Sequence, residues 1–344
     1  MNNQPNKLKK KVLIIYTGGT IGMMRTEHGY APVAGVLHSA LNAIPDMRSA
    51  ELPDWELYEL SPLLDSSNIS VREWNLIASV IADNYSAFDG FVVLHGTDTM
   101  AYTASALSFI LDGLDKPVVL TGSQIPLSEL RSDARENLIS SILIAAEGVA
   151  REVTVCFSGR LLRGNRCTKM SADGFTAFDS PNYPHLAEVG INIKYNEGAL
   201  TRPKKEGDLI VHPFSDVPIG VLKIFPGIQL GLFEEIMTER LSGIVLEAFG
   251  AGNIPSNDSD LLPVIKKAFL AGSIVTVVSQ CPGGAVTLGT YETSQGLKGA
   301  GAVSGMDMTT EAAVTKLYYL LSLSIPHDEI KRRVERNLRG ELTE

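Results

Sequence analysis

The sequence predicts an α/β protein with a larger amino-terminal domain, a mostly parallel sheet flanked by helices, and a smaller carboxy-terminal α/β domain. Two observations predict this fold class. Short β-rich apolar runs alternate with longer segments of helical periodicity, which is typical of a parallel sheet covered on both faces. The length of 344 residues is also enough for roughly two domains, each with its own hydrophobic core.

Five short apolar runs are predicted as the strands of the larger domain. They lie at residues 12–16, 56–60, 90–94, 117–120 and 153–157. The segments 70–85, 99–111 and 135–146 between them are predicted as helices, because their apolar residues recur at the i, i+3, i+4 spacing of a packed helix. Strands and helices therefore alternate along this half of the chain.

The periodic pattern breaks down between residues 192 and 218, where charged residues, glycines and prolines cluster. We interpret this stretch as a linker with one short strand at 209–212. A second alternation follows, with strands at 221–224, 243–247 and 274–279 and helices near 230–240, at 260–271 and from 310. The predicted organisation is an amino-terminal domain at 1–196, a linker at 197–216 and a smaller domain at 217–344.

Composition excludes several classes of protein. The chain has 30 Lys and Arg against 39 Asp and Glu, a net charge of −9, which disfavours nucleic acid as a partner. The 3 cysteines are widely spaced and predict neither a disulfide framework nor a metal knuckle. The apolar run after the first lysines stops at Tyr16, too early for a secretory signal, and no run is long enough to span a membrane. We expect a cytoplasmic protein with no membrane partner.

Four loops at predicted strand ends carry hydroxyl, carboxylate or amide side chains, and three of them also contain glycine. They lie at 17–22, 65–67, 95–99 and 121–124. Loops beyond the carboxyl ends of parallel strands converge at one edge of an open sheet, and ligands bind there. Glycine lets the backbone approach a ligand closely and present its N–H groups. The four loops are therefore predicted to form one site.

The sequence of these loops argues against other familiar sites. Gly18, Gly19 and Gly22 do not fit the dinucleotide fingerprint, and the chain contains neither a phosphate-loop G-K-[ST] nor a G-x-S-x-G elbow. The six histidines show no metal-ligand spacing. His95, at a strand-loop junction, is expected to be a structural imidazole. Taken alone, the first loop also fits a tight turn with a capping threonine.

Thr20 and Thr97 each follow a glycine at a strand end, and Thr97 is followed by Asp98. A hydroxyl is a weak nucleophile unless another group takes its proton, so a base is expected nearby. Lys169 can return to the same edge and relay a proton from Thr97, or it is a solvated surface lysine. Tyr30 is either a lid residue that brings a phenol to Thr20 or an anchoring aromatic, and spacing alone favours the anchor.

Taken together, these motifs resemble the bacterial L-asparaginase family, and most closely its cytosolic type I branch. The motifs that carry the resemblance are YTGGTIG at 16–22, LHGTDTM at 94–100, Asp65-Ser66 and Thr168-Lys169. The similarity runs from the first strand to the carboxy-terminal helix. Two long motifs in the family's order make a chance match improbable.

The resemblance implies hydrolysis of L-asparagine to L-aspartate and ammonia, with slower action on glutamine. It implies that Thr20 is the nucleophile, assisted by Tyr30, and that Thr97, Asp98 and Lys169 form a second triad. Which threonine attacks first stays open. A catalytically silent amino-acid sensor and an amidotransferase subunit are the alternative functions.

Substrate contacts follow from the charges of an amino acid. Asp65 and Asp98 are expected to bind the ammonium, while Ser66 and nearby N–H groups bind the carboxylate. Ser123 is expected to line the part of the site that holds the side-chain amide. The substrate is thus held through both of its charged groups.

Amide hydrolysis builds negative charge on the carbonyl oxygen. The N–H groups of the turns at Gly19 and Gly96 are expected to stabilise that charge. The chemistry requires no metal or organic cofactor.

The resemblance also implies features beyond the primary site. Family members are homodimers or homotetramers, so we expect an oligomer, and in some a neighbouring subunit completes the site with a residue that here would be Tyr291 or Glu292. Some cytosolic members have a regulatory asparagine site, which here would involve Thr168, Asn253 and Cys281. Glu247, at a strand end, stands where a basic residue would better receive a carboxylate, and argues against regulation.

Overall fold

The computed structural model describes residues 9–27, 29–201, 208–255, 261–289 and 292–344. Contacts divide the chain into two compact units, Met1–Ser180 with Pro184–Val211, and Pro181–Tyr183 with His212–Glu344. The predicted boundaries at 196 and 217 stay a prediction, and the part of the predicted linker at 202–207 lies outside the described residues. In the described part of the chain, no helix combines the length and apolarity that crossing a membrane requires.

Strands and helices are numbered in chain order. The strands of the described residues are β1 (Lys11–Gly18), β2 (Met23–Thr26), β3 (Gly29–Pro32), β4 (Asp54–Leu64), β5 (Gly90–Leu94), β6 (Leu111–Asp112), β7 (Val118–Thr121), β8 (Val153–Phe157), β9 (Arg160–Arg163), β10 (Thr168–Lys169), β11 (Phe178–Asp179), β12 (Ala187–Val189), β13 (Ile193–Tyr195), β14 (Ile210–Val211), β15 (Ile219–Lys223), β16 (Gly243–Ala248), β17 (Ile274–Ser279) and β18 (Val303–Ser304). The α-helices are α1 (Val36–Ala43), α2 (Val71–Asp83), α3 (Met100–Ile110), α4 (Ala134–Glu147), α5 (Leu261–Leu270), α6 (Glu292–Gly299), α7 (Thr310–Ser322) and α8 (His327–Val334).

The first unit is built on an eight-stranded sheet in the order β13-β12-β9-β8-β7-β5-β1-β4. From β4 to β8 all neighbours are parallel, and β9, β12 and β13 add antiparallel strands at the other end. Strand β1 lies inside the sheet between β4 and β5, since Ile14 pairs with Leu57 on one side and Val92 on the other. Every residue of β5 and β8 is buried, as continuous apolar runs require. The predicted α/β class is confirmed.

Helix α2 shows how local sequence fixes the helices of this unit. Ser70 and Glu73 form a capping box, in which the Glu73 carboxylate accepts the N–H of Ser70 at 2.9 Å. The predicted apolar face is buried, including Trp74 and Ile77. The helices predicted at 70–85, 99–111 and 135–146 are confirmed as α2, α3 and α4.

The second unit contains a four-stranded parallel sheet in the order β15-β16-β17-β18. Its predicted strands and the helices α5 and α7 are confirmed. The helix predicted near 230–240 is present, although it is not a regular α-helix. It forms a 3-10 turn at Leu230–Phe233 and a π-helix at Ile236–Arg240. Ser273 contacts the end of the π-helix. Its hydroxyl lies 3.0 Å from the Met237 carbonyl and 2.6 Å from the Leu241 carbonyl.

Candidate active site

The four predicted loops lie at one edge of the large sheet. They follow β1, β4, β5 and β7, which are parallel neighbours, so their carboxyl ends meet at that edge. Side-chain hydrogen bonds connect the ends of neighbouring strands. The Thr17 hydroxyl donates to the Leu94 carbonyl at 3.0 Å, and the Thr99 hydroxyl donates to the Ser66 carbonyl at 2.7 Å. The structure therefore brings these loops together.

Two glycines allow these loops to touch backbone to backbone. A Cβ on Gly19 would lie 2.4 Å from the backbone nitrogen of Gly96, and Gly19 has a φ of 89°. A Cβ on Gly96 would lie 2.5 Å from the Ser66 hydroxyl oxygen. A side chain at either position would push the loops apart. The spacing between Thr20, Thr97 and Ser66 therefore depends on two residues without side chains.

Gly19→Ala is expected to separate the Thr20 and Thr97 loops. The variant should lose at least ~3 kcal/mol of unfolding free energy, since the new methyl group meets backbone atoms at positive φ, and ~100-fold in turnover. Gly35→Ala is a matched control, because Gly35 has a φ of 75° but no atom within 4 Å of its Cβ position. Urea unfolding and turnover of the two variants measure the difference. Equal losses in both would contradict the role assigned to close backbone approach.

Lys169 reaches both members of the Thr97-Asp98 pair. Its Nζ donates to Thr97 Oγ1 at 2.9 Å and to Asp98 Oδ1 at 2.7 Å. Strand β10, paired with β11, carries Lys169. Its side chain is 19% exposed, while that of Asp98 is 68% exposed. The interpretation of Lys169 as a solvated surface lysine is therefore wrong.

Gln124 is a fourth member of this cluster that the sequence analysis missed. The Thr97 hydroxyl donates to Gln124 Oε1 at 3.2 Å, because an amide oxygen can only accept. The Gln124 amide is itself held, with Nε2 donating to the Gly174 carbonyl at 3.1 Å. The backbone N–H of Gln124 lies 3.0 Å from an Asp133 carboxylate oxygen. The only sequence signal was the place of Gln124 in the loop 121–124.

Thr20 begins a 3-10 turn, Thr20–Gly22, directly after β1. It is half-buried, and within the described residues no group forms a hydrogen bond with its hydroxyl. In the same part of the chain no oxygen accepts the backbone N–H of Thr20 or of Thr97. One hydroxyl and two backbone donors are thus available to a ligand.

Tyr30 lies on the hairpin that β2 and β3 form after the Thr20 turn. Its side chain is 47% exposed, and its hydroxyl donates to Glu129 Oε1 at 2.9 Å. This hydrogen bond raises the pKa of the Tyr30 phenol above its ordinary value. The structure does not join Tyr30 to Thr20, and Glu129 is a contact that the sequence analysis missed.

The remaining predicted binding residues differ in burial. Asp65 is exposed, and its Oδ1 accepts both the N–H and the hydroxyl of Ser67 at 3.0 Å. Ser66 is 4% exposed and lies against Gly96. Ser123 is 1% exposed, and its hydroxyl has no hydrogen-bond partner among the described residues. A buried hydroxyl without a partner is costly, which makes Ser123 a candidate ligand contact.

The predicted regulatory residues belong to both units. Thr168 precedes Lys169 on β10, while Asn253 and Cys281 lie in the second unit. Cys281 is exposed, and Asn253 forms a backbone bridge with Phe249. Glu247 accepts a hydrogen bond from Thr310 at 2.7 Å. Tyr291 and the side chain of Glu292 lie outside the described residues.

Metal ligation has no support in the described part of the chain, where no three His, Cys, Asp or Glu side chains are grouped to hold an ion. The arrangement offers instead two hydroxyls, one ammonium, carboxylates and free backbone N–H groups. Such a set suits acyl transfer, in which a hydroxyl attacks a carbonyl and N–H groups stabilise its oxygen.

Comparisons with known proteins agree with this chemistry. The model of the family "Asparaginase, N-terminal" matches residues 11–201, and that of the "Glutaminase/Asparaginase C-terminal domain" matches residues 218–333. L-asparaginase 1 of Escherichia coli K12 is 48% identical over 335 residues, which are 97% of this chain and 98% of the relative.

Two solved structures are similar over nearly the whole chain. L-asparaginase I from Vibrio cholerae has a TM-score of 0.89 at 45% identity, covering 97% of this chain and 99% of that one. The thermostable L-asparaginase from Thermococcus kodakarensis has a TM-score of 0.88 at 33% identity, with the same coverage.

Proposed function

The chain belongs to the asparaginase family, in its type I branch, and from that premise we propose how its residues hydrolyse L-asparagine to L-aspartate and ammonia. It is an asparagine amidohydrolase. The observation that carries the residue assignment is the contact of Lys169 with both Thr97 and Asp98, beside a Thr20 hydroxyl that is available to a ligand. The catalytic and binding roles below are proposals.

Thr20 is the nucleophile. Its Oγ1 attacks the side-chain amide carbon of asparagine, the C–N bond breaks, and the hydroxyl proton leaves on the ammonia. Water then attacks the aspartyl ester and restores the hydroxyl as aspartate departs. Tyr30 assists Thr20 only after its hydroxyl has left Glu129, because that hydrogen bond keeps the phenol protonated and directed at Glu129.

The backbone N–H groups of Thr20 and Thr97 form the oxyanion hole. Both belong to glycine-led turns that touch each other, and both are free of protein acceptors in the described residues. Negative charge on the amide oxygen grows in the transition state, so a fixed donor is worth ~3 to 4 kcal/mol there.

The Thr97 hydroxyl carries the proton between Thr20 and the leaving nitrogen. Its hydrogen must turn from Gln124 towards the substrate for this step. Lys169 donates to the same oxygen and so stabilises the negative charge that forms as the proton leaves. Asp98 accepts from the Lys169 ammonium at 2.7 Å and balances its charge.

Asparagine brings an ammonium and a carboxylate to the site. Asp65 and Asp98 bind the ammonium, since both carboxylates are exposed at the sheet edge. The Ser66 hydroxyl, beside Gly96, binds the carboxylate, and the unpartnered Ser123 hydroxyl contacts the side-chain amide. These contacts select an α-amino acid with a short amide side chain, and glutamine is turned over more slowly.

Asp98→Asn is expected to raise KM for asparagine about tenfold and to lower kcat by a similar factor. The change removes one charge from the ammonium site and the ion pair that holds Lys169. Asp83→Asn, an exposed carboxylate on α2, is the control and should leave both constants unchanged. An unchanged KM in Asp98→Asn would remove this residue from the ammonium site.

A coupled assay of ammonia release tests the proposed function. Initial rates are measured against asparagine concentration, with glutamine as comparator. Saturable ammonia release from asparagine, faster than from glutamine, is expected. Saturable binding of asparagine without ammonia would leave the sensor as the function, and transfer RNA binding at moderate salt would favour the amidotransferase subunit.

Three further properties are proposed. We place the protein in the cytoplasm, with two free cysteines buried and one exposed. We propose a homodimer or homotetramer that takes asparagine as its partner and no nucleic acid. Regulation by a second molecule of asparagine is the third property, which a sigmoid rate curve would support and a hyperbolic curve would contradict.

A further inference from the structure

His95 is fully buried at the start of the loop that carries Thr97, and the proposed reaction does not use it. Its backbone N–H donates to the Thr121 carbonyl at 2.9 Å, which fixes the loop to β7. Both ring nitrogens also have partners at hydrogen-bond distance, Nε2 with Thr103 and Nδ1 with the carbonyl of Gly96. The imidazole therefore connects Thr103 on α3 to the Gly96 carbonyl in the loop.

The hydrogen-bond directions around the ring follow from its partners. Trp74 Nε1, which can only donate, lies 3.0 Å from the Thr103 hydroxyl oxygen, so the Thr103 hydrogen points elsewhere. That hydroxyl lies 2.9 Å from His95 Nε2. The Gly96 carbonyl oxygen, 2.7 Å from Nδ1, can only accept, so Nδ1 must carry a hydrogen. The ring is assigned as the Nδ1–H tautomer, which accepts from Thr103 and donates to Gly96.

Holding the Gly96 carbonyl also orients the N–H of Thr97. The two groups belong to one planar peptide, which is trans, so the N–H points away from the carbonyl and from His95. Burial lowers the pKa of His95 to about 4, so the ring stays neutral at neutral pH. No oxygen of the described residues accepts the Thr97 N–H.

We propose that His95 is the positioning residue of the oxyanion hole: its Nδ1–H holds the Gly96 carbonyl and so aims the Thr97 N–H at the substrate amide oxygen. The inference rests on the proposed function, which assigns that N–H to the oxyanion. Trp74 and Thr103 extend the same chain of donors, because the Thr103 hydroxyl keeps the proton off Nε2.

Nitrogen-15 spectra of the wild-type histidines test the tautomer directly. The expected spectrum shows His95 as neutral imidazole with the proton on Nδ1 at neutral pH. A His95→Gln spectrum assigns the signal by its absence. A proton on Nε2, or on both nitrogens, would overturn the proposal.

Two amide substitutions of His95 separate its hydrogen bond to Gly96 from its hydrogen bond to Thr103. The Nδ2 of His95→Asn can replace the Nδ1 donor to Gly96, while the Oε1 of His95→Gln can replace only the acceptor for Thr103. Each variant leaves one buried partner unsatisfied, so both are expected to lose stability in urea unfolding. Positioning predicts that His95→Gln loses ~30-fold or more in kcat with little change in KM, whereas His95→Asn stays within about threefold of wild type.

Ammonia release by the wild type in the same assay separates this inference from the proposed function. A wild type that releases no ammonia would overturn the function itself. An active wild type with equal kcat losses in His95→Asn and His95→Gln, measured on folded protein, would overturn only the role of His95. If neither variant folds, two Thr103 variants replace them. Thr103→Val, which lacks the hydroxyl, should lower kcat, whereas Thr103→Ser, which keeps it, should have a kcat near that of wild type. An unchanged kcat in Thr103→Val would contradict the proposal.

Discussion

Thr20→Ala is expected to lower kcat for asparagine by at least ~10³-fold while the protein stays folded. The change removes the oxygen that attacks the amide carbon. The Thr20 hydroxyl makes no hydrogen bond within the described residues, so its loss costs little stability. Ammonia release and urea unfolding measure the two effects.

Thr20→Ser is the matched variant, because it restores a hydroxyl without the methyl group. Partial recovery of kcat in Thr20→Ser is expected, with the same KM range as wild type. Thr238→Ala, on the π-helix of the second unit, controls for loss of an unrelated hydroxyl. Turnover in Thr20→Ala close to wild type would show that Thr20 is not the nucleophile.

Lys169→Met is expected to lower kcat by about 10²- to 10⁴-fold. The methionine keeps much of the side-chain volume but removes the ammonium that donates to Thr97 Oγ1 and balances Asp98. Thr97 then has no cation to stabilise its oxygen when it releases its proton. Because the ion pair is partly exposed, we expect only a small change in unfolding free energy.

Lys194→Met provides the control for removing one positive charge. Lys194 is exposed on β13, at the far edge of the large sheet from β4, and its loss should leave turnover unchanged. Ammonia release is measured for both variants at several pH values. Equal activity of Lys169→Met and Lys194→Met would return Lys169 to the role of a surface lysine.

The central strands and covering helices could be predicted because their signals are local. The runs at 90–94 and 153–157 match β5 and β8 residue for residue, since both strands are buried along their whole length. The antiparallel strands β12 and β13 were missed because each has three residues, too few for periodicity. The hairpin of β2 and β3 was also missed. Each of its strands has four residues, and most of those residues are exposed, so no apolar periodicity marks them.

The candidate site could be predicted in part. Thr20, Thr97 and Lys169 follow strand or strand-loop signals, and the structure places Lys169 on Thr97. Gln124 and His95 act through contacts across 27 and 8 positions of sequence, which no local pattern contains. Their roles depend on donor and acceptor directions in the folded loops. Only the three-dimensional arrangement supplies those directions.

A crystal structure of Lys169→Met soaked with L-asparagine tests the central claim most directly, because slow proton transfer holds the bound substrate before its C–N bond breaks. The expected density is uncleaved asparagine with its side-chain amide carbon facing Thr20 Oγ1. The carbonyl oxygen should lie within hydrogen-bond distance of the Thr97 N–H. An aspartyl group on Thr97, or asparagine bound away from both threonines, would contradict the account.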